Sequence, residues 1–295
     1  MTKLILGTAQ FGAGYGITNQ VGRIDNDAMG AILAVAQEAG ITLFDTAPGY
    51  GDAQKRLGSL NTSEVRRQFV SNFGLPTMHE LAAGDTELFG STLTDLRVSE
   101  LYGLLFHRVS DLRDPRASDA CEQMRSARKS GVIARIGASV YDTEDLEIVA
   151  ERFPDLDLIQ VPGSILDRRL LDHPLLKDLH DNGVEVHVRS AYLQGLLLAL
   201  PEVIPGYFDG LRPFVARLRE LADERQTSAM GLALAFLKNN PNIDAVLVGA
   251  TTAAELSSTV AAWRSASDEV FSFEIPELRT ELLDPRLWPP RQEKK

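Results

Sequence analysis

Thr42-Leu43-Phe44 runs directly into Asp45-Thr46-Ala47-Pro48-Gly49-Tyr50-Gly51. A short apolar run with β character ends at a carboxylate, and a Pro-Gly pair then turns the chain. The same order, an apolar run, a polar loop and an amphipathic stretch, repeats in both directions from this point. Upstream lies Leu4-Ile5-Leu6; downstream lie residues 68–71, 103–106, 134–137, 157–160, 184–188 and 245–248. Most of these eight runs are spaced by about 25–40 residues, the length of one βα unit.

The stretches between them read as helices. Residues 27–36 open on Asp27, a capping-type residue, and close at Gly40. Residues 143–149 open on Thr143 as N-cap, with acids in the first turn that suit the helix dipole. Ser130-Gly131 and Asn182-Gly183 close two more helices. The longer gap before the last run carries Pro201, Pro205, Gly206 and Gly210, then helices near residues 213–225 and 229–239. Eight βα units without a Pro/Gly/Ser-rich linker predict one α/β domain, a single (β/α)8 TIM barrel over residues 1–288, followed by a polar tail over 289–295 that frays. A doubly wound sheet would show five or six strands and a switch point instead.

Composition narrows the function classes. With 30 Lys+Arg against 41 Asp+Glu, the net charge is −11, and no basic block offsets it. That predicts no nucleic-acid partner and no anionic membrane surface. Hydrophobic residues reach 44%, too many for a disordered chain. No apolar run approaches the roughly 18 residues of a membrane span, and the N-terminal run is too short for a secretory signal, so a cytoplasmic protein is expected. The lone Cys121 excludes an intramolecular disulfide and reads as a small apolar residue of the helix after the fourth strand. His79, His107, His173, His180 and His187 show neither H-x-x-x-H nor H-E-x-x-H spacing, so no metal site is expected. The G-x-S-x-G elbow of serine hydrolases is missing.

In such a barrel, chemistry sits just past the C-terminal ends of the strands. After the first run, Gly12-x-Gly14-x-Gly16 departs from the dinucleotide fingerprint and no helix follows directly, which favours a turn. After the second, Asp45 and Tyr50 either face one cavity or serve as a cap and a packing ring. His107 and Arg108 follow the fourth run, Ser139 the fifth, Gln160 the sixth, Arg189 to Gly195 the seventh, and Gly249 to Thr252 the eighth. Ser139 and Gln160 suit an amide. Gly249 and Thr251 offer backbone amides to an anion at the start of the helix that opens at Ala253. Trp263 and Trp288 read as packing anchors, with Trp288 in reach of the barrel mouth.

These strand ends resemble the aldo/keto reductase superfamily over nearly the whole chain. The matching stretches are Leu6-Gly7-Thr8-Ala9-Gln10-Phe11-Gly12, Phe44 through Gly51 with its D-T-A-x-x-Y-G order, Leu105-Phe106-His107-Arg108, Ile136-Gly137-Ala138-Ser139, Ile159-Gln160-Val161-Pro162, and residues 189–197. The resemblance implies an NADP or NAD cofactor across the barrel mouth and a small polar carbonyl or sugar-like substrate. It implies Tyr50 as proton donor, Asp45 as a supporting carboxylate and His107 as the group orienting the carbonyl. Ser139 and Gln160 would hold the carboxamide and Arg189 would pack on the nicotinamide. Ser190, Leu193, Gly195, Gly249, Thr251 and Thr259 complete the implied cofactor surroundings.

Two departures stand out. The family places a Lys at the end of the third strand, where this chain reads Val70-Ser71-Asn72-Phe73-Gly74. Asn72 donates a hydrogen bond but carries no charge, so a Tyr acid with a free pKa near ~10 loses the cation that would lower it. Asp45 loses its expected ion partner unless Arg108 or Lys55 replaces it. Slow carbonyl reduction, a redox-neutral lyase or epimerase reaction on a bound nicotinamide, and non-catalytic binding of cofactor or ligand are all compatible with Asn72. The second departure follows the eighth strand: residues 249–259 hold no cation and one acid, Glu255, where a 2′-phosphate contact is usual. Arg264 is the nearest substitute in sequence.

Overall fold

Alternation along the strands decides which residues face the barrel axis. The structure, a computed structural model, describes residues 2–61, 67–75, 89–267, 274 and 278–289. Eight parallel strands close in sequence order: β1 (Lys3–Gly7), β2 (Leu43–Thr46), β3 (Gln68–Phe73), β4 (Leu101–Phe106), β5 (Ile133–Ser139), β6 (Leu158–Pro162), β7 (Glu185–Arg189) and β8 (Ala245–Val248). Each of the eight overlaps one of the runs read from the sequence, with β2, β6 and β7 starting one residue later than read, and β8 pairs back onto β1. Ile5, Leu43, Val70, Leu105, Leu158, Ala245 and Leu247 pack against one another inside the ring. Their immediate neighbours Leu6, Phe44, Phe69, Leu104, Phe106, Ile159 and Val246 belong to the outer core beneath the helices. Successive side chains point to opposite faces of a strand. Stepping two residues on from each inner residue therefore reaches Gly7, Asp45, Asn72, His107, Gln160 and Gly249 on the axial side, at the C-terminal end.

The other end of the barrel is closed by polar groups. The Tyr102 hydroxyl donates to the Glu185 carboxylate at 2.7 Å, and Arg135 (2.6 Å) and the fully buried His187 (2.8 Å) contact the same carboxylate.

The helices cover the ring: α1 (Ala9–Gly12), α2 (Asn26–Ala39), α3 (Ala53–Ser59), α4 (Gly90–Leu96), α5 (Ala117–Lys129), α6 (Thr143–Arg152), α7 (Pro174–Asp181), α8 (Arg212–Glu224), α9 (Ala229–Lys238), α10 (Ala253–Ser265) and the single turn α11 (Thr280–Leu283). Several expectations are corrected in detail. The cap of α2 is Asp25, which accepts from the Ala28 amide, and not Asp27; α6 is capped by Asp142, with Thr143 already inside the first turn. A single helical turn, α1, does follow β1 directly, because Ala9 and Phe11 are buried there and pull the chain into the core. His173 caps α7 through its ring nitrogen, with His180 in the last turn. Cys121 is buried in α5. Trp288 packs edge-on against Phe208 with ring centres 4.8 Å apart, in a second core beside the long loop after β7, and is not among the residues that line the mouth cavity. Among the described residues, no helix is long and apolar enough to cross a membrane, and no group of three or more His, Cys, Asp or Glu is placed to hold a metal ion. His79 and the tail from Pro290 onward lie outside the described residues.

Gly12 ends α1 against the turn that carries Tyr50. A Cβ built on Gly12 would lie 1.6 Å from the Tyr50 carbonyl oxygen, a backbone atom that cannot swing away. The tolerance for side chains here is therefore nil, and Gly12→Ala is expected to cost about 3 kcal/mol, the upper end for overpacking. Gly49→Ala in the same turn meets nothing within 4 Å and serves as the control. Urea melts of the two variants that coincide would show the close approach to be dispensable.

Candidate active site

The floor of the site is built on one carboxylate. Asp45 Oδ2 accepts from Asn72 Nδ2 on the adjacent strand at 2.9 Å and from Gln160 Nε2, on the strand four places round the ring, at 2.9 Å. Asn72 must present its nitrogen to Asp45, since its oxygen would repel the carboxylate; that leaves Asn72 Oδ1 buried with no partner among the described residues, as is the neighbouring Thr46 Oγ1. Ser139 stands behind Gln160, donating to its Oε1 at 3.4 Å, and is 1% exposed. The pair expected to hold a carboxamide is thus joined to each other and to Asp45. Gln160 has committed its NH2 to Asp45, and Ser139 is not on the cavity wall. Neither expected substitute reaches Asp45: Arg108 pairs with Asp111 at 3.4 Å, and Lys55 is exposed on α3.

With no cation at position 72, burial dominates the carboxyl. Desolvation pushes Asp45 up to about 6, against the hydrogen bonds from Gln160 and Asn72 and the charge of Arg189, which pull it down. Burial, then the Asp45 charge, holds the Tyr50 hydroxyl well above the ordinary phenol range. Burial, then the positive charges of Arg189 and Arg108, lowers His107, so the imidazole is neutral near pH 7. Tyr50 and His107 meet edge to face with ring centres 6.1 Å apart.

Above this floor opens a cavity of about 510 Å³, within the range of small-molecule sites. Asp45, Tyr50 and Gln160 form one end; Gly249, Thr251, Glu255 and Thr259 line the region after β8; Ser190 and Gly195 belong to the loop after β7. His107, Asn72, Ser139 and Leu193 are brought close but do not line it. Among the described residues that line it, Arg189 is the one cationic side chain. Its guanidinium donates to the Val140 carbonyl at 2.8 Å and lies 4.0 Å from the centre of the Tyr141 ring.

Two features of the rim were not read from the sequence. Gln194 ties the loop after β7 to the loop after β1: its Oε1 accepts from the Ile17 amide (3.0 Å) and its carbonyl from Thr18 Oγ1 (2.8 Å). Gly195, at φ 92°, packs so close to Thr18 that a Cβ would fall 2.1 Å from its hydroxyl. The other is Glu255. Its carboxylate accepts from the Thr251 amide at 2.7 Å and the Thr251 hydroxyl at 2.9 Å, while Thr252 caps the Glu255 amide at 3.1 Å. The expectation that Thr251 leaves a free amide for an anion is therefore wrong: the helix start has filled its own anion site, in the manner of a capping box. The Thr-x-x-Glu spacing of Thr252 and Glu255 carried that signal. Gly249 is covered by the Gln10 side chain. Arg264 sits at the other end of α10, donating to the Ala39 carbonyl, and does not serve the site.

A dinucleotide fits this cavity where its residues are neutral or cationic. The acidic end near Glu255 does not suit an extra phosphate there.

Set beside known proteins, residues 3–273 match the sequence model of the Aldo/keto reductase family. Curated relatives include an NADH-specific methylglyoxal reductase of Escherichia coli, 26% identical and aligned over 89% of this chain and 90% of the relative. Another is a D-threo-aldose 1-dehydrogenase of a Pseudomonas species, 27% identical over 94% of both. Among solved structures, an aldo-keto reductase from Bacillus halodurans in its holo form shares the fold with a TM-score of 0.69 at 20% identity, over 91% of this chain and 88% of that one.

The raised Asp45 carboxyl makes stability depend on pH. Below about pH 4 it is protonated in both folded and unfolded chains; as pH rises to about 6 the unfolded chain releases its proton first, so stability falls across that window and stays lower above it. A shift of about two units corresponds to about 3 kcal/mol. Asp45→Asn keeps an acceptor for Asn72 and Gln160, so it should be more stable than wild type at pH 7.5 and indistinguishable at pH 3.5 in calorimetry. Equal stability at pH 7.5 would refute the buried-charge account.

Proposed function

Because the chain belongs to the aldo/keto reductase family, whose members are generally NAD(P)-dependent oxidoreductases, we propose that it reduces a small polar carbonyl compound or an open-chain sugar, with Tyr50 as the proton donor and NADH as the preferred cofactor. The observation that carries this reading is the placing of Tyr50 and Asp45 at one end of a 510 Å³ cavity at the strand C-termini, with His107 behind them edge-on to the Tyr50 ring.

When bound, a reduced nicotinamide supplies the hydride that reaches the carbonyl carbon. The chain does the rest. Tyr50 passes its hydroxyl proton to the carbonyl oxygen, so the product is an alcohol, and Tyr50 regains a proton from water. Neutral His107 orients the carbonyl by a hydrogen bond without competing as an acid. Asp45, braced by Asn72 and Gln160, fixes the floor against which Tyr50 turns. The substrate's polarity follows from this floor of amide, carboxyl and hydroxyl groups. The methylglyoxal and aldose named for the two relatives are polar carbonyl compounds of the same kind. Asn72 itself brings Tyr50 none of the charge that a lysine at that position would supply.

The cofactor preference rests on Glu255. Its carboxylate holds both donors of Thr251 at the cavity wall, and no cation lines that region, so a 2′-phosphate meets like charge where a ribose hydroxyl meets an acceptor.

Quenching of intrinsic fluorescence is expected on titration with NADH, at concentrations about tenfold lower than with NADPH, and Glu255→Gln should narrow that gap. With methylglyoxal as probe, nicotinamide absorbance should fall as product forms, and Tyr50→Phe should lower turnover at least about a hundredfold. No quenching at millimolar cofactor would overturn the reading. Product formation without net change in absorbance would assign the redox-neutral chemistry instead.

A further inference from the structure

The site lacks a lysine at position 72, yet its cavity wall holds one guanidinium whose charge is not neutralised by its own contacts. Arg189 touches a carbonyl, that of Val140, and an aromatic face, that of Tyr141; neither is charged. The Tyr141 ring is in turn stacked by a second guanidinium, that of Arg286, at 4.6 Å. Both guanidinium groups lie over the one ring, and the two attractions tie it to each of them. Arg286, in contrast, is fully compensated. It pairs with Asp284 at 2.6 Å, with Asp142, and with Asp145 at 3.6 Å, and Asp145 also accepts from the Tyr141 amide at 2.9 Å. The segment that follows α11 therefore reaches over the loop after β5 and, through Tyr141, fixes Arg189 beside Asp45, Tyr50 and Gln160.

We propose that Arg189 supplies the positive charge of this active site, doing from β7 what a lysine at position 72 would do from β3, and that Tyr141 and Arg286 are positioning residues that hold it at the mouth. This rests on the reductase reading only for its kinetic consequence. The groups that share its field are Asp45 and Asn72 on the floor, Tyr50 from the turn after β2, Tyr15 from the loop after β1, His107 and Arg108 after β4, and Tyr141 after β5. The influence of Arg189 runs in one direction on all of the acids: it favours ionised Asp45, Tyr50 and Tyr15, and it disfavours protonated His107. A mobile lysine would need its own buried partner. An arginine clamped on a ring keeps its charge and its place without one.

The test uses the whole protein and two readouts. In protein labelled with carbon-13 at aspartate carboxyls, Arg189→Gln should raise the Asp45 titration midpoint, and Arg189→Lys should leave it near wild type. Tyr141→Leu and Arg286→Gln should raise it by less than Arg189→Gln does. An Asp45 midpoint unmoved by Arg189→Gln overturns the proposal, and this holds whether or not the protein proves to be a reductase. In methylglyoxal reduction at saturating NADH, Arg189→Gln should lower kcat by about tenfold, the equivalent of one pKa unit, and move the basic limb of its pH profile upward. Adding Asn72→Lys to Arg189→Gln should return both toward wild type. If the Asn72→Lys, Arg189→Gln double variant folds and binds NADH but stays as slow as the single variant, the charge does not act as a replacement and the proposal fails. Wild type that neither binds NADH nor reduces an aldehyde sinks the reductase reading alone and leaves the carboxyl titration to decide the role of Arg189.

Discussion

The arrangement at the barrel mouth depends on the hydrogen bonding of a single buried oxygen. Asp45 Oδ2 is shared by Asn72 from the neighbouring strand and Gln160 from the opposite side of the ring. Two neutral donors satisfy the oxygen without cancelling its charge. A carboxylate so placed keeps a raised affinity for protons, and its charge adds to burial in holding the proton on Tyr50. Burial leads the electrostatics of this floor, and an amide at position 72 brings no charge to offset it. With an amide there, the carboxyl titrates close to neutrality and the phenol holds its proton tightly.

The acidic balance of the chain has a local counterpart. Of the charged side chains lining the cavity among the described residues, Asp45 and Glu255 are acids and Arg189 is the single cation. Glu255 closes the anion site at the start of α10 with its own carboxylate, while Arg189 is kept in place by stacking and not by ion pairing. The wall is thus graded, acidic after β8 and cationic at the end of β7. A ligand whose negative charge lies away from the β8 end is the one this gradient accommodates.

Much of this was legible in the residue order, and for a definite reason. Strand runs in a parallel barrel are buried on both faces, so they stand out as short apolar blocks, and all eight were found that way. Asp45, His107, Gln160 and Arg189 could be picked out because a polar residue at the end of such a block has only the barrel mouth to face. What stayed hidden was partnership. Gln160 looked like a free amide and is spent on Asp45; Thr251 looked like a free donor and is spent on Glu255. Arg189 was read as a ring-packing residue, and its contact with Tyr141 of the protein itself was not read at all. Helix caps slipped by one or two residues for a similar reason, since Asp25 and Asp27, or Asp142 and Thr143, are equally good caps until the backbone chooses.

By itself, then, the sequence determined the barrel, the bounds of its strands to within about two residues, the family, and the absence of a lysine at position 72. Short apolar blocks and composition are local properties, and they survive without coordinates. Only the tertiary structure decided which donors remain available to a ligand. Hydrogen bonds between β2 and β6, between Thr251 and Glu255, and the stack of Arg189, Tyr141 and Arg286 join residues between 4 and 145 positions apart. Closure of the ring is what brings the distant ones within about 3–5 Å, where hydrogen bonds and cation–π contacts act.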